Sequence, residues 1–372
     1  QTPGWKEEII GTEEKEAKDD GSIAKFWLEK GSNGWRLDVA NEVSDETWQH
    51  FRKSVKALSE DNVIIGEIWT DASGYLLGDM YDSVMNYMFR NAVVNYVRDG
   101  KTKEAVSTLE RLRERYPQEA FYAMMNLVGS HDTTRILSYL DGIDDDRNQK
   151  EVEKAFPTYE TTSDTAKQLQ YVVAFLQMTY AGAPTIYYGD EIGMVGADDP
   201  DDRRGFTWGL GNKELVEWYA TMAKIRSEYT ALRTGTVEPL SVDNDAVMAY
   251  IRRDANAALA VFANNSDKEV TITVDFAGNK LAAGSYTDLV SGKTYEAGKT
   301  AEIKVPAYRG CILVETGKAK TIKIDTTKLA PAYDSKYIVT KAGRVTANSI
   351  TMTETTKAMK VGESIVLSKT VT

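Results

Sequence analysis

The chain of 372 residues contains one cysteine and two histidines. A single cysteine, Cys311, excludes an intrachain disulfide and any metal cluster held by several thiolates. Two histidines, His50 and His131, argue strongly against a metal site built from several histidines. No apolar run approaches the length that a membrane-spanning helix needs, so we predict no membrane insertion.

Basic residues are fewer than acidic ones, 45 against 56, which gives a formal net charge of -11 at pH 7. The lysines and arginines are scattered and form no basic stripe. Both features disfavour a nucleic acid or an anionic membrane surface as partner. No signal peptide is visible; because Gln1 is not a natural start, we leave open whether one was removed.

Apolar runs of strand type alternate with helical spacing over residues 1–231. Near-continuous apolar runs predict buried strands of the parallel type at 34–40 and 63–69. A helix is predicted from Ser44, because apolar residues follow it at helical spacing. Further helices are predicted at 88–98, 101–116, 165–180 and 213–226, and strands or apolar runs at 81–87, 121–128 and 184–188. This order predicts an α/β architecture with parallel strands.

The alternation of strand and helix patterns ends at residue 231. Short β-rich runs separated by turn residues predict an antiparallel β-sandwich domain over 232–316. Residues 317–342 are predicted as a linker or edge segment, and 343–372 as the beginning of another module. Residues 140–163 are acidic and lack periodicity, which favours a long loop.

Three acidic residues stand at or just past the carboxyl ends of predicted strands: Asp38, Glu67 and Asp132. Side chains alternate faces along a strand, so Arg36 shares a face with Asp38, and a nearby guanidinium favours the charged carboxylate. Each acid alone could be an ion-pair or capping residue. Their recurrence at one relative position favours a catalytic site at the carboxyl ends of parallel strands.

These motifs together resemble the α-amylase family of glycoside hydrolases, family 13. The resemblance rests on GWRLDVANE at 34–42, GEIW at 66–69 and NLVGSHD at 126–132, in that order. GAPTIYYGDE at 182–191 and DPDDRR at 199–204, which leads to Trp208, support it. Within the family, the sequence after Asp38 is most similar to the neopullulanase, cyclomaltodextrinase and amylopullulanase branch.

The resemblance implies a role for each of the three acids. Asp38 matches the nucleophile, Glu67 the general acid/base, and Asp132 the carboxylate that binds sugar hydroxyls and stabilises the transition state. The residues that it implies for substrate binding are Arg36, His131, Asn41, Glu42, Trp69 and Arg204. Capping of the strand end is an equal alternative for Asn41 and Glu42, as is a buried core position for Trp69 and Tyr188. Tyr75 and Trp208 are further candidates for stacking on sugars.

The implied fold is the second half, strands four to eight, of a (β/α)8 barrel followed by the β-sandwich domain. The conserved region that the family carries on its third strand has no counterpart before Gly34. Half a barrel leaves open edges and an exposed core. We therefore expect the N-terminal half of the same protein to be a partner of this chain, on another chain or after cleavage.

The implied function is that of a retaining α-glucan hydrolase. It would cleave α-1,4 and also α-1,6 bonds in starch, pullulan or maltodextrins through a covalent glycosyl intermediate on Asp38. A non-catalytic glucan-binding relative and a transglycosylase are the alternatives. The chemistry requires no cofactor, and a structural calcium ion stays open. Residues 343–372 weakly resemble the start of a bacterial immunoglobulin-like domain, which predicts an extracellular or cell-surface protein.

Overall fold

The parallel strands predicted by the sequence lie side by side in chain order. The computed structural model describes residues 8–11, 21–145, 162–208 and 211–329, and two short strands at 350–352 and 369–371. Its parallel strands are Gly34–Leu37 (β1), Val63–Gly66 (β2), Ser83–Val84 (β3), Met125–Leu127 (β4) and Ala183–Thr185 (β5). Strand β2 pairs with both β1 and β3, and β4 pairs with β5. One bridge, between Met85 and Met125, connects the two groups.

Buried amide side chains reinforce this array where its strands are short. Asn86 donates a hydrogen bond of 2.9 Å to the side chain of Asn126. Asn126 in turn donates to the carbonyl of Ala181 at 2.7 Å, and Gln177 donates to the carbonyls of Asn126 and Thr185. These bonds satisfy polar groups that would otherwise be costly to bury, and they tie β3, β4 and β5 together.

Helices connect the strands and cover one side of them. They are Ile23–Glu29 (α1), Asp45–Leu58 (α2), Tyr87–Asp99 (α3), Thr102–Arg115 (α4), Gln118–Ala123 (α5), Ile136–Leu140 (α6), Asp164–Thr179 (α7), Lys213–Glu228 (α8) and Thr230–Thr234 (α9). The side chains of Asn86, Ser163 and Asn212 cap α3, α7 and α8. Ser44 precedes α2, as predicted, but its hydroxyl bonds the hydroxyl of Thr47 instead of a backbone amide.

Several strands are shorter than the apolar runs from which they were predicted. Strands β1 and β2 end at Leu37 and Gly66. The run at 121–128 divides between the end of α5 and the three residues of β4. Apolar side chains report burial, and they cannot by themselves separate a buried helix end from a buried strand.

The C-terminal β domain contains two antiparallel sheets. Their strands are Thr236–Pro239 (β6), Val247–Arg253 (β7), Ala258–Asn264 (β8), Val270–Asp275 (β9), Gly284–Asp288 (β10), Thr294–Ala297 (β11), Thr300–Val305 (β12) and Gly310–Glu315 (β13). One sheet has the order β11-β10-β13-β8-β7-β6, and the other pairs β9 with β12. Phe262 and Leu313 of the larger sheet share a core with Ile272 and Ile303 of the smaller one.

Helix α7 joins the α/β part to the β domain. Nearly all of its residues are buried, because it lies between the parallel strands and the larger antiparallel sheet. Arg252 on β7 donates to the carbonyl of Thr179 at 2.7 Å, and the hydroxyls of Thr179 and Tyr250 are 2.6 Å apart. Gly310 packs directly on the ring of Phe175. The two parts therefore share a packed interface.

The regions predicted to lie outside these two parts are described only in part. Residues 317–329 contain turns, with 3-10 segments at Thr316–Lys318 and Thr326–Lys328. Strands Ile350–Met352 (β14) and Lys369–Val371 (β15) pair antiparallel. The remainder of the predicted linker and C-terminal module, and residues 146–161 of the predicted loop, lie outside the described residues. Where the chain is described, no helix combines the length and hydropathy needed to cross a bilayer.

The contact between Gly310 and Phe175 can be tested by substitution. A Cβ at position 310 would overlap the aromatic ring, so we expect Gly310→Ala to lower the free energy of unfolding by about 1–3 kcal/mol. Gly317→Ala is the matched control, because no atom lies within 4 Å of the added methyl group. Urea unfolding measures the free energy of unfolding of both variants. Equal values would show that the ring of Phe175 moves aside without cost.

Candidate active site

The guanidinium of Arg36 connects two carboxylates at the ends of neighbouring strands. Its Nη1 lies 2.6 Å from Oδ1 of Asp38, and its Nη2 lies 2.8 Å from Oε1 of Glu67. The second contact is an ion pair without the direction of a good hydrogen bond. The Asp38 side chain is 75% exposed and the Glu67 side chain 6%. Asp38 thus faces solvent, whereas Glu67 is buried.

Strand register explains why the two acids meet. Leu37 pairs with Gly66, so the next residue on each strand emerges at the same edge. The amide of Glu67 donates to the carbonyl of Leu37 at 2.9 Å. Val39 then adopts a left-handed conformation, with φ of 43°, and its amide donates to Oε2 of Glu67 at 3.1 Å. A β-branched residue rarely adopts this conformation, so the turn carries strain at the site.

Asp132 lies in the loop after β4, between two other polar side chains. Its Oδ2 is 3.1 Å from Nε2 of His131, and its Oδ1 is 3.1 Å from Nη2 of Arg203. Nε of Arg203 also donates to the carbonyl of His131 at 3.0 Å. The hydroxyl of Ser130 accepts from the amide of Asp132. The loop is thereby held in one conformation with the carboxylate about one third exposed.

Tyr87 links the two groups of acids. Its hydroxyl shares a hydrogen bond of 3.1 Å with Ser130, and its ring stacks on Trp69 at 3.8 Å. Burial raises the pKa of Tyr87 to about 12, and the negative charges of Glu67 and Asp132 add to this effect. The hydroxyl therefore lies in the field of both acids. Tyr87 was missed from the sequence, although it stands just past the end of β3 as the acids stand past β1, β2 and β4.

The other predicted binding residues take different positions. Trp69 is 43% exposed and offers its free face to solvent, so it is not a core residue. Asn41 and Glu42 are exposed in the 3-10 turn Ala40–Glu42, where their side chains contact each other at 3.3 Å. Arg204 makes two contacts with Asp201, at 2.8 and 2.9 Å. Its neighbour Arg203 is the arginine that reaches Asp132.

The remaining aromatic candidates divide between core and surface. Tyr75 is half-buried and stacks on Tyr81. Tyr188 is 39% exposed, and its hydroxyl donates to the carbonyl of Arg204 at 2.8 Å. Trp208 is 77% exposed and packs on Phe206. The sugar-binding roles of these residues stay predictions.

We searched the described residues for side chains that could together hold a metal ion. The described residues contain no group of three or more histidine, cysteine or acidic side chains placed to hold a metal ion. The structural calcium ion that the sequence left open is therefore not assigned to any residue, and it stays a prediction.

A buried ion pair supports the loop that carries Asp132. Asp190 and Arg135 are both fully buried, and Nη1 of Arg135 lies 3.3 Å from Oδ1 of Asp190. A Cβ at Gly129 would lie 2.5 Å from the other oxygen of Asp190, so only glycine fits there. Burial raises the pKa of Asp190 to about 7 despite the opposing charge of Arg135.

Comparison with known proteins identifies the family. The model of the alpha amylase catalytic domain matches residues 10–245, which is well over half of the chain. The chain belongs to the α-amylase family. The model of the maltogenic amylase C-terminal domain matches residues 237–312. Both matches fit the α/β part and the antiparallel β domain described above.

Two curated relatives confirm the predicted branch. An amylopullulanase of Thermoanaerobacter thermohydrosulfuricus is 37% identical over 342 residues, 83% of this chain and 22% of the relative. Neopullulanase 2 of Thermoactinomyces vulgaris is 37% identical over 301 residues, 78% of this chain and 46% of the relative. The chain thus spans less than half the length of either α-amylase family relative.

Solved structures agree with this assignment. A cyclomaltodextrinase structure superimposes with a TM-score of 0.67 at 32% identity, covering 78% of this chain and 47% of the other. The ligand-free cyclic alpha-maltosyl-(1→6)-maltose hydrolase from Arthrobacter globiformis superimposes with a TM-score of 0.64 at 27% identity, covering 78% and 57%. The fold is therefore that of the α-amylase catalytic domain followed by an antiparallel sheet domain.

The raised pKa of Asp190 predicts a pH dependence of stability. Between about pH 4 and 7 the unfolded chain releases this proton while the folded chain retains it, so stability falls as the pH rises. We expect Asp190→Asn to remove this fall, which amounts to roughly 4 kcal/mol at 1.36 kcal/mol per pKa unit. Urea unfolding at several pH values measures it, and an unchanged slope would contradict the assignment.

Asp71→Asn is a control of opposite sign. Burial raises the pKa of Asp71, but hydrogen bonds from Ser73 and the charge of Arg115 outweigh burial and lower it. This group stabilises the fold above its unfolded pKa near 3.8, and its contribution is lost as the pH falls below that value. Asp71→Asn should therefore reduce the loss of stability below about pH 4. It should leave the dependence of the free energy of unfolding on pH between 4 and 7 unchanged.

Proposed function

We propose that this chain carries the catalytic residues of a retaining α-glucan hydrolase. The observation that carries the proposal is the shared guanidinium of Arg36, which holds Asp38 and Glu67 side by side at the ends of β1 and β2. A retaining glycosidase needs two carboxyl groups only about 5–5.5 Å apart, so that one attacks while the other donates a proton. Two acids that contact the same guanidinium are held close to each other, which supports this role.

The exposed acid suits the nucleophile. Asp38 attacks the anomeric carbon, the bond from that carbon to the glycosidic oxygen breaks, and Glu67 gives its proton to the leaving oxygen. Water then attacks the glycosyl ester, its proton passes to Glu67, and Asp38 is released. The contact between Arg36 and Glu67 suits the ionised form of Glu67 that precedes this second step.

The surrounding groups suit the binding of a sugar. Asp132 and His131 present hydrogen-bonding atoms beside the acids, and Arg203 holds Asp132 in place. The exposed face of Trp69 offers a platform for stacking on a sugar ring, while its other face rests on Tyr87. Such groups stabilise an oxocarbenium-like transition state through the hydroxyls of the bound sugar.

The five parallel strands form strands four to eight of a (β/α)8 barrel in this proposal, and the N-terminal half of the same protein supplies the rest. An apolar cleft of about 570 Å³ opens between β1 and the helices α1 and α2, and Asp38 lies at its rim. On α1, Ile23, Phe26 and Trp27 are each about half exposed. Closing a barrel would cover these side chains and pair the edge of β1 on which the described residues place no strand.

The names of the relatives suggest the substrate class. The terms amylopullulanase and neopullulanase describe proteins that act on pullulan, so α-1,4-linked and α-1,6-linked glucans are the proposed substrates. A polymeric substrate fits an extracellular or cell-surface location. Transglycosylation uses the same residues, since a sugar hydroxyl replaces water in the second step. A non-catalytic glucan-binding role is the alternative of a different class.

Glu67→Gln in the full-length protein separates enzyme from binding protein. Gln keeps the shape but cannot donate the proton, so we expect kcat on maltooligosaccharides to fall about 10²–10⁴-fold while binding persists. Glu60→Gln is the control, because this exposed acid lies in the turn that follows α2. Undiminished hydrolysis by Glu67→Gln would refute the assignment, and binding without hydrolysis by the parent would favour the binding role.

The products released from pullulan decide between the two linkages. Maltotriose would indicate cleavage of α-1,6 bonds, and panose would indicate cleavage of α-1,4 bonds.

The proposed barrel partner is tested by comparing residues 1–372 alone and together with the N-terminal half. We expect the chain alone to associate or to unfold without cooperativity, because its apolar cleft and strand edge are exposed. Light scattering and thermal unfolding measure this. A soluble, cooperatively folding monomer of 1–372 would count against the missing half.

A further inference from the structure

A buried carboxyl group lies behind the arginine that holds Asp132. The side chain of Asp202, in the 3-10 turn Asp201–Arg203, is fully buried. Neither of its oxygens has a hydrogen-bond partner among the described residues. A buried carboxyl group without partners is costly, so its presence calls for a physical explanation.

Arg203 stands between this buried group and the candidate active site. Its Nε lies 3.0 Å from Oδ1 of Asp199 and 3.9 Å from Oδ1 of Asp202. The same nitrogen donates to the carbonyl of His131, and Nη2 donates to Oδ1 of Asp132 at 3.1 Å. The guanidinium of Arg203 therefore lies within 4 Å of three carboxyl groups, those of Asp132, Asp199 and Asp202. Of these, only Asp132 belongs to the candidate active site.

The backbone of the turn has little freedom to adjust. The hydroxyl of Tyr187 donates to the carbonyl of Asp202 at 3.4 Å, and Tyr188 donates to the carbonyl of Arg204 at 2.8 Å. A Cβ at Gly196 would lie 3.0 Å from Cα of Asp202, so the two segments are in close contact. The backbone of the turn thus has little room to respond to the charge of Asp202, whereas the side chain of Arg203 is 44% exposed.

We propose that Asp202 is a positioning residue whose charge sets how Arg203 divides its guanidinium between Asp132 and the acidic turn. When Asp202 is neutral, Arg203 is available to Asp132 and Asp199. When Asp202 is ionised, it attracts Arg203 from behind and weakens the contact with Asp132. The consequence for catalysis rests on the proposed function, whereas the change in the environment of Arg203 does not.

The surroundings of Asp202 place its titration near neutrality. Burial raises the pKa of Asp202 to about 7; the nearby guanidinium groups lower it, and the neighbouring acids raise it. The titratable and charged groups that face it are Arg203, Arg135, Asp198, Asp199 and Tyr187. The hold of Arg203 on Asp132 should therefore weaken as the pH rises through about 7.

Asp202→Asn tests this directly through the Nε–H signal of Arg203. The full-length protein is labelled with ¹⁵N-arginine, and Arg203→Lys identifies the signal by its loss. We expect a titration step near pH 7 in the parent and none in Asp202→Asn. A step that persists in Asp202→Asn, or no step in the parent, would overturn the proposal. Asp202→Ser provides a second uncharged variant should the Asn variant fail to fold.

Asp198→Asn is the matched control from the same acidic loop. Asp198 raises the pKa of Asp202 through its negative charge, and no contact joins it to Arg203 among the described residues. We therefore expect its variant to keep the titration step and to move it to lower pH. Loss of the step in this control would assign the titration to Asp198 and overturn the proposal.

Kinetics of the full-length protein test the catalytic consequence. We expect KM of the parent to rise about fivefold above pH 7, and KM of Asp202→Asn to stay at the low-pH value. A KM that is equally flat in parent and variant, with hydrolysis present, would overturn the positioning role. Absence of hydrolysis in the parent would instead refute the proposed function, and the Arg203 signal would still decide the proposal about Asp202.

Discussion

The contact of one guanidinium with two carboxylates is the interaction on which the candidate site depends. Arg36 can reach Asp38 and Glu67 together because the register of β1 and β2 brings their ends level. Two carboxylates at such close range repel each other unless a cation lies between them. The left-handed turn at Val39 aims one more donor at Glu67. Strand register, charge and local strain thus act on the same few atoms.

Support for the third acid comes from a different part of the fold. Asp132 is held by Arg203, which belongs to a turn some seventy residues later in the chain. Beneath its loop, Asp190 packs against Gly129 and pairs with Arg135. These buried charges are expensive, since each loses its hydration. They connect the segment that follows β5 to the end of β4 and so define the shape of the site.

Much of the fold follows from local rules that the sequence displays. Helical spacing and apolar runs predicted the order of helices and strands, and the turn-rich segment after residue 231 predicted the antiparallel domain. The ends of β1 and β2 were misjudged because apolar residues continue beyond the last paired residue of each strand. Val39 leaves the strand in a left-handed turn after β1, and Ile68 stays buried after β2. The two residues that the motifs did not single out, Tyr87 and Arg203, act through stacking and long-range contact.

The sequence by itself determined the family, the alternation of strands and helices, and the three acids, because each is expressed in residues that are neighbours along the chain. Only the tertiary structure decided which side chains meet. It placed Arg36 between two acids, directed Arg203 and not Arg204 to Asp132, and buried Asp202 behind the site. These contacts join segments between about thirty and seventy residues apart, and packing of the strands, which no local pattern encodes, brings them together.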